Sequence, residues 1–295
     1  MNTLIIVTGI TGATLFWVLN KWAISRGGNP TLYSFWMLLF GTAAAGALAL
    51  GCGQDLFSPD VWRFGCIIGL CYAACLKLML FCMQRGPSGP VVTVNNMGLV
   101  WPVTVAFIYP YPKRPSLIIV IGILSILTAL ILLGSNQKPD QNKTTHHNPP
   151  GKRPALSLGF ATFMLWIAAG LSMMFQAIAS KRLSDDPMAL VCIMSFVAVI
   201  AIAPMYLTSN RPRVRRTELV PGIIAAAVQV VTGYCIFVGT DRIGAQIVFP
   251  FIIATPIIIM LLIGHFAYKE KLNRLGWAGC LLGTTGLLLL ILASN

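Results

Sequence analysis

Residues 116–134, SLIIVIGILSILTALILLG, pass without a single charge. Runs of this kind, about 18 to 24 residues long, recur along the chain, and each can cross a hydrocarbon layer about 30 Å thick. In hydrocarbon no water is at hand for a backbone N–H or C=O. A run must therefore pair its own groups as a helix, or close with other strands into a barrel. A barrel would show alternating segments of about ten residues, whereas these runs are apolar on every side. Only 10% of the 295 residues are charged and the mean hydropathy is +0.80, while a soluble domain carries about 25% charge. The fold class that follows is all-α: a polytopic membrane protein.

Ten spans are expected, at about 3–20, 31–51, 62–84, 90–110, 116–134, 156–179, 188–208, 219–240, 244–267 and 274–293. The first, MNTLIIVTGITG, has no basic residue ahead of it and so reads as a retained span rather than a cleaved signal. Residues 135–154, SNQKPDQNKTTHHNPPGKRP, are polar and proline-rich with no helical period, which marks a linker between two units, 1–134 and 155–295. His146 and His147 within it read as solvated rather than metal-binding, and the Asn142 sequon matters only if the linker faces a glycosylating lumen. The eight cysteines form no ligand-like cluster; all but Cys52 fall in apolar runs, where they serve as small packing residues.

The two units repeat one another. Sliding the chain by 157 positions lays Pro30 on Pro187, Gly65 on Gly222 and Arg85 on Arg242. Sliding it by 154 lays Pro102 on Pro256 and Gly122 on Gly276. Five spans is an odd number, so the second copy must cross the membrane in the opposite sense. The product is two inverted five-helix repeats, a ground plan of secondary carriers. The basic residues then divide unevenly between the faces. Fourteen lie on the linker side and six on the other, which puts the linker in the cytoplasm and both termini outside. The net charge of +13 is accounted for by these interspan residues, which set orientation and meet anionic headgroups, so no nucleic-acid partner is inferred.

Ten spans in two repeats, with Pro256, a short hairpin bearing Glu270, Gly276-x-x-Gly279 and the stretch Asp241–Pro250 (DRIGAQIVFP), resemble the EamA-like branch of the drug/metabolite transporter superfamily. The resemblance implies a carrier of amino acids, other metabolites or cations, and names no particular one. Two departures stand out. Ser116 falls where the first hairpin would carry its own glutamate. The family is also expected to keep both termini in the cytoplasm, against the charge count, and the charges are followed here.

Polar residues inside spans are costly in hydrocarbon and so point to a cavity or a neighbouring helix. Lys77 lies eight residues from Arg85, about 12 Å along a helix. It could snorkel to the interface or face a pathway, and its repeat mate is Tyr234. Asn95 and Asn96 precede Pro102 in the fourth span, while Gln246 and Thr255 flank Pro250 and Pro256 in the ninth. Kinks at Pro102, Pro250 and Pro256 would free backbone carbonyls beside these side chains. Gln176, Gln229, Trp17 and Asn20 add further polar or aromatic groups. These residues are expected to face one another across a midplane site, with interhelical hydrogen bonding as the plain alternative.

All eight acids fall at or beyond span ends, so no mid-membrane carboxylate awaits a cationic drug or a proton. Lysine and amides suit a carboxylate, phosphate, zwitterion or neutral polar solute. The leading reading is a secondary transporter of small polar metabolites in the cell membrane, with no catalytic residue, metal or cofactor. Its partners would be a small solute and the lipid bilayer, and it is read as a monomer rather than a dimer. The alternative, a membrane-embedded enzyme acting on lipid-linked substrates, lacks a nucleotide motif, an acidic cluster and histidines other than His146, His147 and His265. The glycine run in the last span is expected to pack internally.

Overall fold

The computed structural model describes residues 2–25, 28–85, 88–108, 116–135, 155–207, 216–259, 262 and 274–294. The helices are α1 (Asn2–Ser25), α2 (Pro30–Gly51), α3 (Pro59–Arg85), α4 (Ser88–Met97), α5 (Val100–Ile108) and α6 (Leu117–Ser135) in the first half. The second half supplies α7 (Ala155–Arg182), α8 (Pro187–Leu207), α9 (Arg216–Ile243), α10 (Ala245–Phe249), a π turn (Pro250–Ala254) and α11 (Arg274–Ser294). Among the described residues there is no strand, and α1, α2, α3, α7, α8 and α9 are each long and apolar enough to cross a membrane. Leu117–Leu132, Ala245–Ile259 and Arg274–Leu290 are shorter apolar helices. The chain is an all-α polytopic membrane protein. The linker 136–154, the Arg211–Arg215 cluster and the hairpin around Glu270 lie outside the described residues.

The helix boundaries follow local chemistry. At the start of α2, the Asn29 side chain accepts a hydrogen bond from the Thr31 N–H at 2.9 Å and Pro30 takes the first helical position, where no N–H is needed. Two caps are not local. The Gln54 Oε1, in the first half, accepts from the Met188 and Ala189 N–H groups at 2.8 and 3.0 Å and so completes the start of α8. Conversely, Glu218 Oε1 at the start of α9 accepts from the Asn29 N–H at 2.8 Å. Each half thus closes the second helix of the other, and the two closures lie on opposite faces of the membrane.

The helix pairings are those that exchanging the halves leaves unchanged. α1 packs on α9 as α7 packs on α3, and α2 packs on α9 as α8 packs on α3. α2 also meets its own mate α8, and α6 meets its own mate α11. One apolar core joins α2, α3, α7, α8 and α9 through Met37, Leu38, Leu165 and Ala198, and a second joins the fourth and ninth spans to α6 and α11 through Leu99, Ile126, Ile258 and Leu290. The glycine run of the last span packs internally where it can be seen. A Cβ on Gly286 would lie 2.7 Å from the Gly122 carbonyl oxygen, and one on Gly122 would lie 3.0 Å from that of Gly286. Backbones this close exclude any side chain.

The fourth span, expected as one helix over 90–110, is two: α4 ends at Met97 and α5 begins at Val100.

Replacing Gly286 by Val should cost about 1–3 kcal/mol of stability through overpacking against the α6 backbone. Gly159→Val, where nothing lies within 4 Å of an added Cβ, should be nearly neutral. Thermal melting of the two purified variants in detergent checks this, and equal melting would refute the close α6–α11 packing.

Candidate functional site

A proline inside a helix removes one N–H, and its ring crowds the carbonyl four residues earlier. For Pro102 that carbonyl belongs to Gly98, which is where α4 and α5 separate. The chain turns there through tight three-residue hydrogen bonds, from Gly98 N to Asn95 O at 3.2 Å and from Leu99 N to Asn96 O at 3.1 Å. Trp101 N then takes the Gly98 carbonyl at 3.1 Å. For Pro256 the crowded carbonyl belongs to Ile252, in the middle of the π turn Pro250–Ala254. Under the 154-residue slide, the 97–100 break falls on 251–254. Both halves therefore distort their fourth helix at one repeat position, a turn before the proline rather than at it.

The broken helices are walled by close neighbours. α4 and α5 lie on α7, where Gly98 faces the Gly170 backbone and a side chain at Gly170 would overlap the Trp101 indole. Trp101 and Trp166 stand 5.5 Å apart, with Phe163 beyond at 6.0 Å from Trp166. α10 packs on α5, so the two broken spans meet. Phe249 and Ala245 rest against Ala177 of α7, within reach of Met173. Gly244, at φ +107, lets the chain leave α9 and turn back sharply, with the Gln246 amide folded over it.

Four of the residues singled out in the sequence, Asn95, Asn96, Gln246 and Thr255, stand at or beside these breaks. Asn95 is buried and its Oδ1 accepts from the Cys75 thiol at 3.0 Å. Asn96 is buried with its Nδ2 unpartnered. Gln246 Oε1, Thr255 Oγ1 and the Trp101 indole N–H are likewise shielded and lack a hydrogen-bond partner. Trp101 and Thr255 are repeat mates, each directly before its half's proline. On α7, Gln176 Nε2 donates to Ser172 Oγ at 3.2 Å. Gln229 of α9 is buried with both amide atoms unpartnered, and Asn20 of α1 leaves its Nδ2 unpartnered. Trp17 is half-buried against the central core, edge-on to Phe16 at 6.2 Å.

Lys77 stands apart. It lies on the exposed face of α3 with Leu70 and Ala74. Cys75, which holds Asn95, is two residues away, about 200° around the helix. The structure therefore does not bring the lysine to the asparagines. Tyr234, its mate, is likewise 38% exposed and lines a cleft between α2, α9 and the α7–α8 turn. Trp101, Trp166 and Gly170 were not singled out in the sequence. The available signal was that Gly98 stands four residues before Pro102 and Trp101 immediately before it.

Residues 160–292 match the EamA-like transporter family. A solved crystal structure, described only as that of a protein, superposes with a TM-score of 0.75, covering 99% of this chain and 96% of its own at 17% identity. At that identity the likeness shows the fold alone. No curated protein matches the sequence.

Gly170→Val should displace the Trp101 indole and destabilise the fold by about 1–3 kcal/mol. The check is a lowered melting temperature together with a shift in tryptophan fluorescence. Unchanged fluorescence would mean that Trp101 does not sit against Gly170.

Proposed function

We propose that this chain, whose residues 160–292 match the EamA-like transporter family, is a secondary transporter that moves small polar metabolites, such as amino acids or organic anions, by alternating access. The observation that carries the reading is the set of unpartnered polar atoms on Asn96, Trp101, Gln246 and Thr255 at the two helix breaks. A buried polar atom without a partner costs about 1–3 kcal/mol, and a chain that keeps four of them beside its two helix breaks has a use for them. A polar solute supplies the missing hydrogen bonds while it is bound, and gives them up when the halves rock to the other side. Discontinuous helices that meet at a repeat interface form such sites in carriers. The solute class follows from the donors and acceptors present: amides, a hydroxyl and an indole N–H, with no carboxylate among them. Lys77, on the outer face of α3, acts in this reading outside the breaks, where its ammonium draws anionic groups to the pathway or to a headgroup.

The enzyme reading gains nothing by comparison. The family whose model matches is one of transporters. The charge bias supports a linker in the cytoplasm and both termini outside, in the plasma or inner membrane of the cell.

Removing the polar atoms separates function from folding. Asn96→Leu and Gln246→Leu should leave stability unchanged or raise it by about 1 kcal/mol, since each deletes an unsatisfied group. In proteoliposomes both should lose most saturable uptake of amino acids or organic anions. Full uptake with either variant would sink the site assignment. Orientation is tested by impermeant labelling of tags placed in the linker and after Asn295. The C-terminal tag should react from outside and the linker tag from inside, and the reverse pattern would overturn the charge argument.

A further inference from the structure

The face that carries both termini differs chemically from the linker face. It holds five of the eight acids, Asp55, Asp60, Asp185, Asp186 and Asp241, beside its six basic residues. On this face a cleft of about 480 Å³ opens between the end of α2, the α7–α8 turn and the end of α9. Asp185, Asp241 and Arg242 line it together with Leu48, Val238 and the half-exposed Tyr234. The cleft lies apart from the helix breaks, and its carboxylates are private to one half. Under the 157-residue slide Asp185 falls on Gly28 and Asp241 on Gln84, whereas Arg242 falls on Arg85. The symmetry of the fold alone does not account for the two acids.

We infer that this cleft is a binding site for a zwitterion with an apolar tail, whose ammonium meets the carboxylates, whose carboxylate meets Arg242 and whose tail lies on Leu48, Val238 and Tyr234. The inference deepens the transport reading by giving it a selective mouth. Asp241 also interacts with Lys181, which makes Asp185 the first partner for an incoming ammonium. A guanidinium has five N–H donors in a planar fork, so a contact within the protein still leaves donors for a carboxylate. A plain anion would meet the two aspartates, and a plain amine would meet Arg242. A solute with both charges is favoured over either.

Cys52 supplies the readout. It lines the cleft and is the exposed cysteine, the other seven being buried or half-buried. The full chain in detergent would be alkylated with a polar maleimide and the rate at Cys52 followed by mass spectrometry. Leucine is the probe, with isopentylamine and 4-methylpentanoate as its single-charge counterparts. At a concentration that fills about four-fifths of the sites, leucine should slow the reaction about fivefold, since about a fifth of the sites remain free, while neither counterpart at the same concentration does so. Asp185→Asn should abolish the protection, and Asp60→Asn, an acid on the same face outside the cleft, should keep it. No slowing by leucine, equal slowing by either counterpart, or protection that survives Asp185→Asn would each overturn the inference. The assay needs no flux. Uptake without protection of Cys52 would defeat the cleft and spare the transport reading, whereas protection without uptake would do the reverse.

Discussion

The interaction on which this structure depends is the backbone hydrogen bond made where no water can replace it. In a hydrocarbon layer each unsatisfied peptide group costs several kcal/mol, so every stretch that faces lipid must be regular helix. The bundle follows that rule wherever it is described, except at two places. Both exceptions, Gly98–Leu99 and Pro250–Ala254, are enclosed by protein: the first by α7 and α6, the second by α1, α6 and α11. Irregular backbone is tolerated there because neighbouring helices keep lipid away. The same enclosure puts polar side chains where their hydrogen-bonding capacity counts most. Fold and candidate site are consequences of one constraint, obeyed along the spans and locally relaxed.

Much of the architecture was legible because that constraint writes itself into composition. Charge-free runs gave the spans, and matching prolines and glycines gave the repeat. The position of the breaks was less legible. Three prolines announced that the fourth and ninth spans would bend, but the bend falls on the carbonyl a proline obstructs, four residues earlier. In one half that carbonyl belongs to Gly98, where the helix divides; in the other it belongs to Ile252, and the helix widens into a π turn.

The rotation of each helix was the part that could not be read. A soluble helix announces its inner face by a polar outer one. Here both faces of α3 are apolar, so the position of Lys77 along the span could be placed while its direction could not. Depth suggested that it would meet the asparagines, yet Cys75 holds that side of the helix and Lys77 leaves by the other. The caps made by Gln54 and Glu218 were equally hidden, because each joins residues more than 130 positions apart. Nothing local distinguishes Gln54 from any other loop amide.

Those exchanged caps also bear on how the protein is made. A ribosome delivers the first half before the second exists. When α2 enters the membrane, the carboxylate that will bond the Asn29 N–H lies almost 190 residues further along a chain not yet translated. α8, in contrast, emerges after Gln54 is already waiting for its first turn. The early half is thus released unfinished, and the late half arrives to a prepared surface and finishes both. Assembly acquires a direction in time that the near-symmetry of the finished bundle conceals.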